Sequence, residues 1–201
     1  MFFRACAANW ATLEGVRAAE RGEAPDERAS IALYFAHVVA ERLRPLLPPG
    51  GRVLDFGDRR GRVGLHLEAA GILVVRGQEA EGGGERARPY DGAYAEVHDW
   101  SVARAGARGL AEKLAPGAPL LVRLERRAAQ SAAVVARDLG PDLLWTSAAS
   151  LGFFVPPEEQ SFWAERHPHA FAGLCALEGL VRARPGFRLA GREALLLGVR
   201  R

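Results

Sequence analysis

Residues 52–61, Arg-Val-Leu-Asp-Phe-Gly-Asp-Arg-Arg-Gly, constrain the fold more than any other stretch of the chain. An apolar pair, Val53-Leu54, runs into Asp55, and Gly57 and Gly61 bracket a tight turn. A helical-looking segment then reaches Gly71, and a second apolar run, Ile72 to Val75, follows. Strand, glycine loop, helix and strand in this order open a doubly wound α/β domain. The position between the two glycines needs a small residue if a ligand is to lie close to the backbone. It carries Arg59 instead.

The same alternation continues along the chain. Residues 8–20 are expected to form a short helix that Gly22 to Pro25 break. Ile31, Tyr34, Phe35, Val38, Val39, Leu43 and Leu46 recur at steps of three and four, which predicts an amphipathic helix ending before Pro48-Pro49-Gly50-Gly51. The first strand is expected at 52–57, a helix at 61–70 and the second strand at 72–77. Three consecutive glycines make 80–89 a loop. A third strand follows at 93–97, a helix at about 102–114, a fourth strand at 119–124 and a helix at 127–138. Residues 140–166 give no clear pattern beyond a strand start at Leu143 to Trp145 and an apolar-tipped loop at Gly152-Phe-Phe-Val-Pro-Pro. A helix at about 169–183, with Phe171, Leu174, Leu177 and Leu180–Val181 on one face, precedes a last strand at 194–199. Alternating strands and helices imply a mostly parallel sheet with helices on both faces. The expected organisation is one domain over 1–201, an N-terminal helical cap (1–50) on an α/β core (51–201).

Charge and composition exclude several classes of function. A net charge of +3 is spread among mixed signs, with only Arg123-Leu-Glu-Arg-Arg127 and Arg200-Arg201 clustered. Nucleic-acid binding calls for a basic stripe, so none is expected. No apolar stretch approaches the ~18 residues of a membrane span. The N-terminus lacks the apolar core of a signal peptide, so the expected compartment is the cytoplasm. Cys6 and Cys175 are far apart and read as reduced, packed thiols. His167 and His169 flank a proline with no third ligand nearby, so no metal is expected.

Three segments together carry a family resemblance. They are Val53-Leu-Asp-Phe-Gly with Gly61; Tyr90-Asp-Gly-Ala-Tyr-Ala followed by Leu110 to Leu114 and Pro116-Gly117; and His167-Pro-His-Ala-Phe171 leading through a helix to Gly186-Phe187 and a last strand. In order and spacing the chain resembles class I S-adenosylmethionine-dependent methyltransferases of the small-molecule type. The resemblance covers about 45–125 and 165–200. It implies a Rossmann-like methyltransferase fold and S-adenosylmethionine as cofactor. Asp55, Gly57 and Gly61 would hold the cofactor's amino-acid end. Gln78, or Glu79 if the second strand is one residue longer, would meet the ribose.

The match fails at two places. Arg59 brings a cation towards a sulfonium, and like charges in a confined site repel; the alternative is that Arg59 turns outward. The family also places a helix and an edge strand between its second and fourth strands, needing roughly 16 residues before any turns. Residues 80–90 supply only 11, four of them Gly or Pro. The sheet is therefore expected to lack an edge strand, and the adenine pocket a wall.

Two readings of function follow. The first is a pseudoenzyme with a degenerate site and possibly no cofactor, binding or scaffolding a protein partner, or itself, through residues 151–163 or the second-strand edge. The second is an active methyltransferase on a small molecule, its acceptor near Glu96-Val-His-Asp-Trp100, with His98 as a weak candidate base. Arg123, Glu125, Arg126 and Arg127 read as a solvated charged end.

Overall fold

The computed structural model describes residues 29–56, 61–77, 88–97, 109–125, 137, 142–157, 160–182, 184 and 191–201. Helix α1 (Ala29–Leu43) passes through a 3-10 turn (Arg44–Leu46) to strand β1 (Arg52–Phe56). Helix α2 (Arg62–Ala69) and strand β2 (Leu73–Arg76) complete the opening unit. Strands β3 (Gly92–Val97), β4 (Pro119–Glu125) and β5 (Leu143–Leu151) follow, then helices α3 (Ser161–Arg166) and α4 (Pro168–Val181), and strand β6 (Glu193–Arg200). Residues 109–113 are helical as well.

The six strands form one sheet in the order β2-β1-β3-β4-β6-β5. β1 pairs parallel with both β2 and β3, and β3 with β4. β6 runs antiparallel between β4 and β5. The strand order reverses between β1 and β3, which is where open α/β sheets build their sites, outside the carboxyl ends of the strands. Among the described residues β2 pairs with β1 alone, so β2 lies at the sheet's edge. This is the expected mostly parallel sheet.

Strand alternation sorts the core into two layers. One face carries Val53, Tyr94, Leu121 and Leu195, and packs against α1, α2, α3 and α4. The other carries Leu54, Ala93, Ala95 and Val122, and packs against Leu110, Ala111 and Leu114. Helix α1 is buried over nearly its whole circumference from Ile31 to Ala40, with alanines at 32, 36 and 40. A helix apolar all round belongs inside a fold. Its end is set by Pro45, admitted in the first positions of a 3-10 turn, and by Pro48-Pro49.

Three expectations need correction. The stretch after Leu143 is a nine-residue strand; its small and polar residues hid it, and a bulge between Trp145 and Ser147 breaks its alternation. Residues 161–166, in the stretch that gave no clear pattern, form a short helix, α3. Of the apolar face expected on α4, Phe171 and Leu174 pack on the core, but Leu177 and Leu180 are exposed, and Cys175 and Glu178 are the helix's buried residues. The expected segments at 8–20, 80–87 and 127–136 lie outside the described residues.

Glycines give a direct test of the packing. A Cβ on Gly191 would lie 2.4 Å from the Leu151 carbonyl oxygen, whereas Gly173 and Gly179 on α4 face open space. Gly191→Ala is expected to lower stability by about 2 kcal/mol or more through backbone overlap. Gly173→Ala and Gly179→Ala should each raise it by ~0.5–1 kcal/mol, as alanine replaces glycine inside a helix. Urea unfolding of the three variants checks both signs.

Candidate functional site

Asp55, on β1, is buried at the strand's carboxyl end. In register it neighbours Arg76 of β2 and Tyr94 of β3, so the three side chains share one face of the sheet. Helix α2 crosses close above them, because Gly64 has no side chain to hold it off. A Cβ there would lie 3.2 Å from Val74 Cγ1 and 3.4 Å from Asp55 Oδ2.

Gly61 precedes α2 with φ +63°, a conformation that disfavours other residues. A Cβ on Gly61 would lie 2.9 Å from Arg76 Nη2 and 3.2 Å from its Nε. The guanidinium of Arg76, an exposed side chain, therefore lies beside this glycine. Arg62, the first residue of α2, is buried beside it in sequence. Of the residues expected to hold a cofactor, the structure thus places Asp55 and Gly61 at the ends of β1 and the following loop. Gly57, Arg59, Gln78, Glu79 and the candidate base His98 lie outside the described residues.

A second polar group lies on the same face, further along the sheet. Arg123 of β4 is buried, with its Nε 2.5 Å and its Nη2 2.9 Å from the two carboxylate oxygens of Glu193 on β6. Its Nη1 reaches Glu96 of β3 at 2.8 Å. The Phe35 ring of α1 covers the guanidinium, 5.2 Å from its centroid. Burial alone would lower the arginine's pKa, but the Glu193 and then the Glu96 carboxylates outweigh it and hold the charge firmly in place. The expectation of a solvated Arg123 is therefore corrected: strand alternation points it inward, and two carboxylates neutralise it there.

The third group anchors the 151–163 region. Glu178 is fully buried, and its Oε1 accepts the Gly152 N–H at 2.6 Å. Its Oε2 accepts the N–H groups of Phe153, Phe154 and Val155 at 3.1, 3.1 and 3.0 Å. Successive amides converging on one anion form a nest. The Arg192 guanidinium donates to the Val155 carbonyl from the other side. Val155 is thereby buried while Phe154 and Phe162 remain exposed, with Arg166 stacked 3.9 Å over the Phe162 ring. Nearby, the Tyr34 hydroxyl donates to the Cys175 carbonyl at 3.3 Å. Burial, and then the Glu178 carboxylate, push the Cys175 thiol up to about 12 and raise the Tyr34 hydroxyl as well. Such a thiol is inert at neutral pH.

No profile of a known protein family matches this sequence, and no curated sequence compared with it does either. Solved structures do match. A Listeria monocytogenes protein assigned as an S-adenosylmethionine-dependent methyltransferase superposes with a TM-score of 0.51 at 10% identity, over 84% of this chain and 99% of that one. The chain has the class I methyltransferase fold. Two further structures share this methyltransferase fold. The (4+2)-cyclase SpnF matches at TM-score 0.50 and 17% identity, over 86% and 82% of the two chains. A chain of the fibrillarin–Nop5p complex matches at 0.50 and 11%, over 86% and 84%. On this methyltransferase fold, Asp55 and Gly61 occupy the first strand and its glycine loop. Among the described residues, no cluster of three or more His, Cys, Asp or Glu could hold a metal ion, and no helix is long and apolar enough to cross a membrane.

Arg123 and Glu178 escaped the sequence reading as functional groups, although each left a signal. Arg123 is the one charge inside the apolar run Pro119 to Leu124, and Glu178 the one acid in the apolar run Phe171 to Val181. A lone charge inside an apolar segment has to find a buried counterpart. Arg123→Ala is expected to lose ~3–5 kcal/mol by stranding two carboxylates. Glu178→Gln should lose ~1–3 kcal/mol, because an amide replaces the ion that gathers four N–H groups. Chemical denaturation measures both. Hydrogen exchange should localise the second effect to residues 152–155.

Proposed function

We propose that this methyltransferase-fold protein has a degenerate S-adenosylmethionine site and works as a non-catalytic binding or scaffolding partner. The observation that carries this reading is the Arg76 guanidinium lying over Gly61. In the resembled family the glycine loop admits the cofactor's amino-acid end beside a sulfonium cation. Here that space holds a cation. Arg59 adds a second cationic residue to the same loop in sequence. Like charge and lost space both oppose binding. The short 80–90 connection supports the same reading, since it leaves little chain to build an adenine wall.

Asp55 and Gly61 favour a second reading, an active methyltransferase with an atypical pocket. In that case Asp55, Gly57 and Gly61 hold the amino-acid end, and Gln78 or Glu79 meets the ribose. Proximity and orientation of a small-molecule acceptor then supply most of the rate.

As a scaffold, the protein offers two surfaces. One is the 151–163 segment, whose residues 152–155 the Glu178 nest holds and in which Phe154 and Phe162 are exposed. The other is the β2 edge, where Leu73 is exposed. The chain of the fibrillarin–Nop5p complex shows that this fold occurs in a protein assembly.

Titration calorimetry with S-adenosylmethionine and S-adenosylhomocysteine decides between the readings. The expected result is no heat at millimolar ligand from a sample shown to be folded. A micromolar Kd for either ligand would establish the second reading instead.

A further inference from the structure

We propose that the seam between α1 and α2 is an acid-sensitive clasp, in which His37 of α1 and His66 of α2 release α1 from the sheet when they become charged. The two imidazoles meet edge to face, with centroids 5.7 Å apart and planes at 71°. Both are half-buried. Protonating either ring therefore places a cation against the other ring in a poorly hydrated seam.

The surrounding charges make this worse. The groups acting on His37 are Glu41 and Arg44, beyond it in the chain, Arg182 at the end of α4, and His66 across the seam. Glu41 also acts on His66. One carboxylate thus faces two arginines and, in acid, two imidazolium ions. Burial, the leading cause, holds His37 down at about 4 and His66 below its ordinary value. Both rings are neutral in the folded protein at neutral pH. The unfolded or released segment takes up its protons near 6.5. Between about pH 6.5 and 4 the released state binds more protons, so the clasp weakens as pH falls through that window. Below about 4 His37 is charged in both states, and its share of the loss is complete.

Topology makes α1 the element to move. It is not a strand, so its departure breaks no sheet pairing. It joins β1 through the 3-10 turn and Pro48-Pro49-Gly50-Gly51, a natural pivot. Its release would uncover two things together: the apolar underside of Ile31, Phe35, Val39 and Leu43, and the Arg123 guanidinium that Phe35 covers. Although α1 is buried nearly all round, it belongs to no strand ladder, and such an element can open sub-globally ahead of a sheet.

Hydrogen exchange on the full chain at pH 7 and pH 5, corrected for intrinsic rates, tests the proposal. Amides of residues 33–43 should lose at least about tenfold protection while those of β1, β3 and β4 keep theirs, and the double variant His37→Gln/His66→Gln should show no such loss. Equal loss in helix and strands, no loss at all, or the same loss in the double variant would overturn it. If that variant does not fold, the imidazole titration of the native protein decides by NMR. A His37 midpoint below about 5 supports the clasp, and an unperturbed midpoint near 6.5 rejects it.

Discussion

The Arg123 guanidinium is the point at which separate parts of this fold are fastened to one another. Its three nitrogens reach Glu96 on a parallel neighbour and Glu193 on an antiparallel one, and Phe35 of the covering helix lies on its face. The sheet changes from parallel to antiparallel pairing between β4 and β6. Hydrophobic contact alone does not distinguish one sliding register from another two residues away, but a bidentate ion pair does. The arrangement suits specificity better than raw stability, since a buried charge triad gains little over apolar packing of equal volume. It also ties α1 to the sheet by a contact between a ring and a cation.

The carboxyl ends of the strands therefore carry two kinds of charge management. Around Arg123 every charge is answered. Over Gly61 lies the guanidinium of Arg76, an exposed side chain. The first strand and its glycine turn retain their shape, with Asp55 beneath α2 and Gly61 in the left-handed region. Fold likeness alone does not fix the chemistry of that space, so the proposed function rests on the residues around it.

The regular part of the fold was readable because its signals are local and redundant. Strand β1 was expected at 52–57 and runs Arg52–Phe56; the fourth strand was expected at 119–124 and runs Pro119–Glu125. In both, apolar runs end at punctuating residues. Strand β5 was largely missed, because Thr146-Ser-Ala-Ala-Ser150 has one β-branched residue and no alternation, and its bulge shifts the pattern midway. The face of α4 was misread for a different reason. Leucines at helical spacing outvoted one glutamate, yet the glutamate is the residue that four backbone amides need. Such a demand arises from another segment, and no periodicity in α4 itself reports it. Arg76 was likewise invisible as a site residue, since only pairing between β1 and β2 brings it over Gly61.

The bulge between Trp145 and Ser147 has a consequence for assembly. It lies on β5, the strand at one margin of the sheet, while β2 forms the other among the described residues. A ladder broken in this way is a poor template for another strand. A sheet that can grow from only one margin has a polarity of growth. Among the described residues, pairing through β2 would join like to like about a two-fold axis and would use the unbulged margin of both copies. Among the described residues, the margin free of a bulge favours a closed pair over continued strand addition.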